Sequence, residues 1–411
     1  MKMFSFLKRF DSAKIYSIIA QVLALGIGYV AQLILFVLLT EKESFSHFQL
    51  TNFTTNLLGL FAGSVIPTLF SAKISALSEK DAKSELQKIV LPYIVVLLGQ
   101  TALLYVLFVG LNIAQGIDSY RLLLFILSSV QVLAFSVMNL FHMYFIGRRD
   151  FKTFAIFYTL YGAIKSFFVL AAAFMFNNAE AIVVGISLAS VLHSLIILWY
   201  LKVKPEITIS FEALIPYKKR FLDQLIANLV MFGILNISFI IAYFKIRTDY
   251  DTFNLITLAQ PIGLVPYYVV SSLGNVYMID FANGSKKATD IVKIITRMFA
   301  LLIVFSILTL VAAAVVFTIF NRAPVGLLLQ YVMIMFPSTM AISLISVLLS
   351  IYQGLGELYR LRAIVLVLIP LYLLISLLPV TTEQLILITG GVYLGISVFI
   401  TLLSRKISWK P

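Results

Sequence analysis

Residues 153–176, TFAIFYTLYGAIKSFFVLAAAFMF, are long enough to cross a bilayer and carry one charge, Lys165. Twelve residues of the stretch precede that lysine and eleven follow it. At 1.5 Å per residue its backbone lies about 17 Å from either end. A lysine stem reaches only about 6 Å, so the ammonium cannot snorkel to either surface. A cation at that depth requires water, an anion or a polar cavity. Tyr158, Tyr161 and Gly162 precede Lys165 by seven, four and three residues, which places them on its helical face. The pattern predicts a helical bundle around a wet, cationic interior into which Lys165 looks. Lysine supplies a countercharge to phosphate, and amides and aromatic rings suit sugar hydroxyls and faces.

Other spans carry matching polar stripes: Gln21, Gly28 and Gln32 in the first; Asn52, Thr55, Asn56 and Gly59 in the second; Gln131, Asn139 and His142 in the fourth; Gln224, Asn228 and Asn236 in the seventh; Asn254, Thr257 and Gln260 in the eighth. Singly, each amide also fits hydrogen-bonded glue between packed helices. Together the stripes read as a solvated cleft between two lobes. The candidate substrate-binding set is Lys165, Tyr158, Tyr161, Asn52, Asn56, Gln21, Gln32, Asn139, His142, Asn228, Asn236 and Gln260, with Arg148 and Arg149 at a mouth. His142 and His193 read as lone histidines near membrane ends, as core residues or as members of a proton relay.

The elements that must position these groups are helices. Of 411 residues, 61% are hydrophobic and 12% charged, against about 25% charged in a soluble domain. Span-length apolar runs occur at 13–39, 46–72, 89–112, 121–146, 153–176, 180–201, 221–246, 252–279, 294–320, 324–352, 361–379 and 384–404. The expected fold class is therefore an all-α polytopic membrane protein with twelve transmembrane helices. The first run lacks a small-residue cleavage site and reads as an uncleaved helix.

Charge sets the orientation. With both termini on one side, 25 Lys and Arg fall there and five on the other, and Lys165 completes the 31. That bias places both termini in the cytoplasm and accounts for the net charge of +13 with no nucleic-acid partner. The cytoplasmic segments 78–91 and 285–299 are charged first and amphipathic after, so each is expected to lie on the membrane surface before turning into the next span. Shifts of 205 and 208 residues align features of the two halves, such as Phe48 with Phe253 and Tyr144 with Tyr352. The expectation is an N-terminal lobe at 1–201, a cytoplasmic linker at 202–220 and a C-terminal lobe at 221–411, with six helices per lobe. Pro67, Pro261, Pro266, Pro337 and Pro370 are candidate bend points.

All eighteen Asp and Glu fall at joints or helix ends, so no carboxylate sits mid-span to bind a cation or carry a proton. The chain has no cysteine, no catalytic or nucleotide-binding motif, and no residues that call for a metal or cofactor. An enzyme such as a polysaccharide polymerase or acyltransferase would need a large external loop or an acid–base pair at the membrane edge, and neither is apparent.

The whole chain resembles the bacterial Wzx-type polysaccharide flippases of the multidrug/oligosaccharidyl-lipid/polysaccharide (MOP) exporter superfamily. The twelve spans carry the likeness, together with the basic segments before spans 3 and 9 and the joints YFIGRRDFKTFAI and YQGLGELYRLRAI. The resemblance implies a MATE-like fold of two six-helix lobes in the bacterial inner membrane. It implies an undecaprenyl-pyrophosphate-linked oligosaccharide, such as an O-antigen unit, moved from cytoplasmic to periplasmic leaflet by alternating access. Membrane lipid is then an obligate partner, and a polysaccharide polymerase and chain-length regulator are further candidate partners. Lys165 would meet the phosphates, with Arg148, Arg149, Lys245 and Arg247 at the mouths. The alternative is a small-molecule exporter of the same fold.

Overall fold

The computed structural model describes residues 12–39, 42–113, 119–206, 210–246, 249–282, 284, 290–320, 325–357, 371, 375 and 378–404. Among them are fourteen α-helices, one 3-10 helix and no strand. The chain divides into two compact units, Ile34–Asn228 and the pair Met1–Leu33 with Leu229–Pro411.

The first helix, α1 (Ser12–Leu38), contributes to both units. The unit Ile34–Asn228 then contains α2 (Lys42–Gly59), α3 (Ala62–Ile74), α4 (Glu79–Ile113), α5 (Ser119–Gly147), α6 (Phe151–Phe176) and α7 (Ala179–Leu201). A 3-10 helix, Phe211–Tyr217, leads directly into α8 (Lys218–Leu235). The other unit holds α9 (Ile237–Ile246), α10 (Tyr250–Gly263), α11 (Val265–Ala282), α12 (Ile291–Phe320), α13 (Val325–Gly354) and α14 (Thr382–Ser404). The Tyr29 hydroxyl of α1 donates to the Leu258 carbonyl of α10 at 3.3 Å.

Eight of these helices are long and apolar enough to cross a membrane, and two bent pairs raise the number to ten. The protein thus has the all-α, multi-pass membrane architecture expected from its composition. The run 361–379 lies outside the described residues apart from isolated positions. Two spans expected to be continuous are bent, and a third is interrupted by a single residue. The second parts into α2 and α3 with a 48° bend, and the eighth into α10 and α11 with a 41° bend. The seventh is interrupted at Asn236 between α8 and α9, across which the helical bonds Asn236 N to Phe232 O (3.0 Å) and Ile240 N to Asn236 O (2.8 Å) continue. Conversely, α4 runs unbroken through both the charged segment 78–91 and the third span, so no separate surface helix precedes it. Its acidic first turn, Glu79 and Asp81, suits a helix N-terminus, and Ser78 accepts from the Asp81 amide at 3.2 Å. The counterpart at 285–289 is not among the described residues, and from Ile291 onward that segment belongs to α12. Pro337 sits inside an unbroken α13, as Pro92 does in α4.

A broken helix in a bilayer leaves carbonyls without amide partners, and hydrocarbon offers no substitute. At the α2–α3 bend two of them are met by side chains. Gln100 Nε2 donates to Leu58 O at 2.8 Å, and Ser64 Oγ donates to Gly59 O at 2.7 Å. Pro67 has no N–H for the carbonyl four residues back, Gly63. That oxygen instead accepts from the Tyr93 hydroxyl at 3.1 Å and the Asn139 amide at 3.3 Å. In the other unit, Thr339 Oγ1 donates to Gly263 O at 2.8 Å, at the α10–α11 bend.

The halves repeat one another in backbone detail. Both bends fall at a Gly–Leu dipeptide, Gly59–Leu60 and Gly263–Leu264. Both α5 and α13 end on a glycine set against the preceding bent span. A Cβ on Gly147 would lie 2.6 Å from Ser71 O, and one on Gly354 would lie 2.3 Å from Met278 O. Each helix then closes with a left-handed residue, Arg149 at φ 61° and Gly356 at φ 73°. The matching caps are Asp150 N to Phe145 O at 3.0 Å and Glu357 N to Tyr352 O at 2.9 Å. These joints are equivalent at a shift of 207 residues, so the shift of 208 read from Tyr144 and Tyr352 is one residue out of register.

Candidate functional site

The site is assembled by α5, α6 and α7 within the unit Ile34–Asn228. Asp150 caps α6 by accepting from the Thr153 amide at 3.1 Å. Asn177, left-handed at φ 49°, ends it, and Asn178 caps α7 by accepting from the Ala181 amide at 2.9 Å. This two-asparagine turn returns α7 antiparallel to α6. The helices approach so closely at Gly185 that a Cβ there would sit 2.9 Å from Phe168 O.

The faces of α6 separate cleanly. Ile156, Leu160, Ala163, Phe167 and Phe174 are exposed and form an apolar stripe. At about 100° per residue, Lys165 lies on the opposite side of the helix from that stripe, with Phe154, Tyr158, Tyr161 and Val169 within about 40° of its azimuth. Phe154, Tyr161 and Val169 are buried, whereas Tyr158 and Lys165 are half-buried. Lys165 therefore faces away from the exposed apolar stripe. Among the described residues it makes no ion pair and no hydrogen bond. It is a mid-span ammonium with three donors and no acceptor among the described residues.

One turn toward the start of α6, Tyr161 joins a polar cluster. Its hydroxyl is 3.2 Å from Ser190 Oγ on α7. His142 of α5 and His193 of α7 meet with their Nε2 atoms 3.0 Å apart, and both rings are buried. Aromatic rings close around them: Tyr158 lies 5.4 Å and Phe154 5.9 Å from His142, and Tyr161 lies 5.4 Å and Phe157 5.9 Å from His193. The two histidines that read as lone in the sequence are partners. The N···N separation is that of a hydrogen bond, so one Nε2 carries hydrogen and the other accepts. His193 Nδ1 is left without a partner among the described residues.

Lys165, Tyr158, Tyr161 and His142 thus share one region of one unit. Asn139 lies on α5, where its amide donates to Gly63 O. Asn52 is half-buried and Asn56 exposed on α2, whose Thr55 donates to Gln131 at 3.2 Å. Gln32 is half-buried, and the Gln21 side chain lies outside the described residues. Asn228 accepts from Gln224 at 2.8 Å one turn away, Asn236 donates to Phe232 O at 3.0 Å, and Gln260 donates to Leu235 O at 3.2 Å. Arg148 donates to Leu77 O at 2.6 Å, and Arg149 is exposed at the left-handed cap. Lys245 is exposed at the end of α9, and Arg247 is outside the described residues. Ser190 is absent from the candidate set, and His193 enters the sequence reading only as a lone histidine. Their signal was the buried stripe Ile186, Ser190, His193 and Ile197, spaced four, three and four on an otherwise apolar helix.

No protein-family model matches the chain, and no curated protein does. Solved structures do. The eukaryotic MATE transporter AtDTX14 superposes with a TM-score of 0.68 at 13% identity, over 97% of this chain and 95% of that one. The MATE multidrug transporter DinF-BH gives 0.66 at 13%, over 97% and 94%. The inward closed lipid II flippase MurJ gives 0.62 at 16%, over 94% and 87%. The chain has the MATE/MOP transporter fold. At these identities the likeness establishes architecture, and the chemistry of the site lies in its own residues.

Proposed function

We propose that the protein is a flippase that carries a polyprenyl-pyrophosphate-linked oligosaccharide from the cytoplasmic to the periplasmic leaflet of a bacterial inner membrane, with both termini cytoplasmic. The observation that carries this reading is Lys165, a mid-membrane cation turned away from the exposed apolar stripe and unmatched by any described acidic partner. An unpaired ammonium selects for an anion that arrives and leaves, and a lipid pyrophosphate is such an anion. The half-buried Tyr158 beside it presents a ring of the kind that stacks on sugar faces. Alternating exposure of Lys165 to the two sides would move the head group while the polyprenyl tail stays in lipid. The MurJ likeness supports the reading, because that protein is a lipid II flippase with the same fold.

The test compares Lys165→Ala with Lys165→Arg in a cell that requires this protein for its surface polysaccharide. Export fails in the alanine variant and is retained in large part in the arginine variant. Full export with alanine removes the anion-site role.

A second reading, a small-molecule exporter, is favoured by the MATE transporters among the structural neighbours. Transport of a small organic ion by the purified protein in liposomes, with surface polysaccharide unchanged on deletion, would select it.

A further inference from the structure

A second cationic site lies away from Lys165, where α3 ends and the 3-10 helix Phe211–Tyr217 passes into α8. It is a cavity of 220 Å³ lined by Leu69, Ala72, Lys73, Pro216, Tyr217 and Arg220. At about 30 Å³ per water, that is the volume of roughly seven waters, enough for a phosphate ester and part of its alcohol. Lys73, in the last turn of α3, pairs with Glu85 of α4 and lies 5.8 Å from the centre of the Tyr217 ring. One acceptor cannot use all three ammonium donors. Arg220 is exposed and has neither ion pair nor hydrogen bond among the described residues. Tyr217 is 5% exposed, and its buried hydroxyl has no partner among the described residues. Burial and the Glu85 carboxylate raise its pKa above the ordinary phenol value, so it remains a neutral O–H donor. Two cations and an orphaned donor, walled by Leu69, Ala72 and Pro216, suit an anion with an apolar continuation.

The same segment carries an independent mark of lipid contact. Phe211 is 53% exposed, Ile215 66% and Leu222 54%, next to the consecutive cations Lys218, Lys219 and Arg220. Exposed apolar side chains beside a basic run characterise segments that rest on an anionic bilayer surface. The level is right as well. The bent span formed by α2 and α3 ends at Ile74, one residue beyond Lys73, so the cavity sits at the depth of the head groups.

We propose that this cavity binds the phosphate of an anionic phospholipid, held by Arg220 and Lys73, with Phe211, Ile215 and Leu222 seated in the same leaflet. In the orientation proposed above, that leaflet is the cytoplasmic one. The site goes beyond the transported substrate, and its test needs no transport.

Full-length protein in a neutral detergent is titrated with phosphatidylglycerol, phosphatidylcholine or inorganic phosphate, with thermal unfolding and bound lipid by native mass spectrometry as readouts. Phosphatidylglycerol raises the unfolding midpoint by several degrees and stays bound. The other two ligands do not. Arg220→Gln and Tyr217→Phe each remove half or more of that shift, whereas Lys165→Ala leaves it intact. An undiminished shift in Arg220→Gln, or an equal shift with phosphatidylcholine, overturns the site. A shift with inorganic phosphate alone replaces the lipid with a soluble phosphate ester. Loss of transport in Lys165→Ala with lipid binding retained separates this proposal from the flippase reading.

Discussion

His142 and His193, 51 residues apart in sequence, share a single hydrogen between Nε2 atoms 3.0 Å apart inside the unit Ile34–Asn228. Removing one ring strands the other's nitrogen in an apolar aromatic cage. Removing both leaves no unmet group. A buried polar group left alone costs about 1–3 kcal/mol, whereas losing both partners is far cheaper. His142→Leu and His193→Leu are therefore each expected to lower stability by about 1–3 kcal/mol, with the double variant costing well below their sum. A double-mutant cycle by thermal unfolding checks this. Effects that add to within about 0.5 kcal/mol would mean that the two rings are not coupled by a hydrogen bond.

A second relationship links three elements through one carbonyl. Gly63 O has lost its amide partner to Pro67 and accepts from Tyr93 and Asn139. Tyr93→Phe is expected to cost about 0.5–1.5 kcal/mol. In a Pro67→Ala background the helix can supply its own N–H, and the same substitution becomes close to neutral. An equal penalty in both backgrounds would mean that Tyr93 stabilises the bend through its bond to Ser136 O at 3.3 Å.

The repeat makes paired predictions. Gly147→Ala and Gly354→Ala place a methyl group inside contact distance of Ser71 O and Met278 O, which are backbone atoms that cannot swing aside. Each is expected to lower stability by about 1–3 kcal/mol. At the neighbouring left-handed position the backbone contribution has opposite sign in the two halves. Arg149→Gly relieves about 1 kcal/mol of backbone strain at φ 61° while giving up the side chain's own interactions, and Gly356→Ala at φ 73° subtracts about 1 kcal/mol. Unfolding midpoints of the four variants decide it, and transport by Arg149→Gly reports separately on that cation.

Helix class, most of the spans and the interior face of α6 were legible because they follow from local composition and a 3.6-residue period. Lys165 opposite the stripe Ile156, Leu160, Phe167 could be read from one segment. The breaks at Leu60 and Leu264 and the interruption at Asn236 were not, because apolar runs 46–72, 221–246 and 252–279 are continuous in hydropathy. What sustains a break is a donor elsewhere: Gln100 for Leu58, Thr339 for Gly263. A proline alone is a poor guide, since Pro337, a candidate bend point, sits inside an unbroken helix. The histidine pair was hidden for the same reason, as each member is unremarkable on its own helix. Asn139 and Gln260, read as lining a cleft, donate to backbone oxygens that no local pattern reveals as needy.

The role of Lys165 can be separated from structure by the sign of a stability change. A lysine held by carbonyls or hydroxyls would stabilise its helix packing, and Lys165→Met would then weaken the fold. An ammonium without a protein partner is a burden on the folded state, tolerated because the substrate needs it. Lys165→Met fills a similar volume without charge, so the unfolding midpoint is expected to rise, by the equivalent of about 1–3 kcal/mol, while export falls below detection. Lys165→Arg keeps the charge and is expected to leave both nearly unchanged. Measured together, stability and surface polysaccharide give opposite trends for a site that waits for an anion. A Lys165→Met protein that is both less stable and inactive would instead make this lysine part of the scaffold.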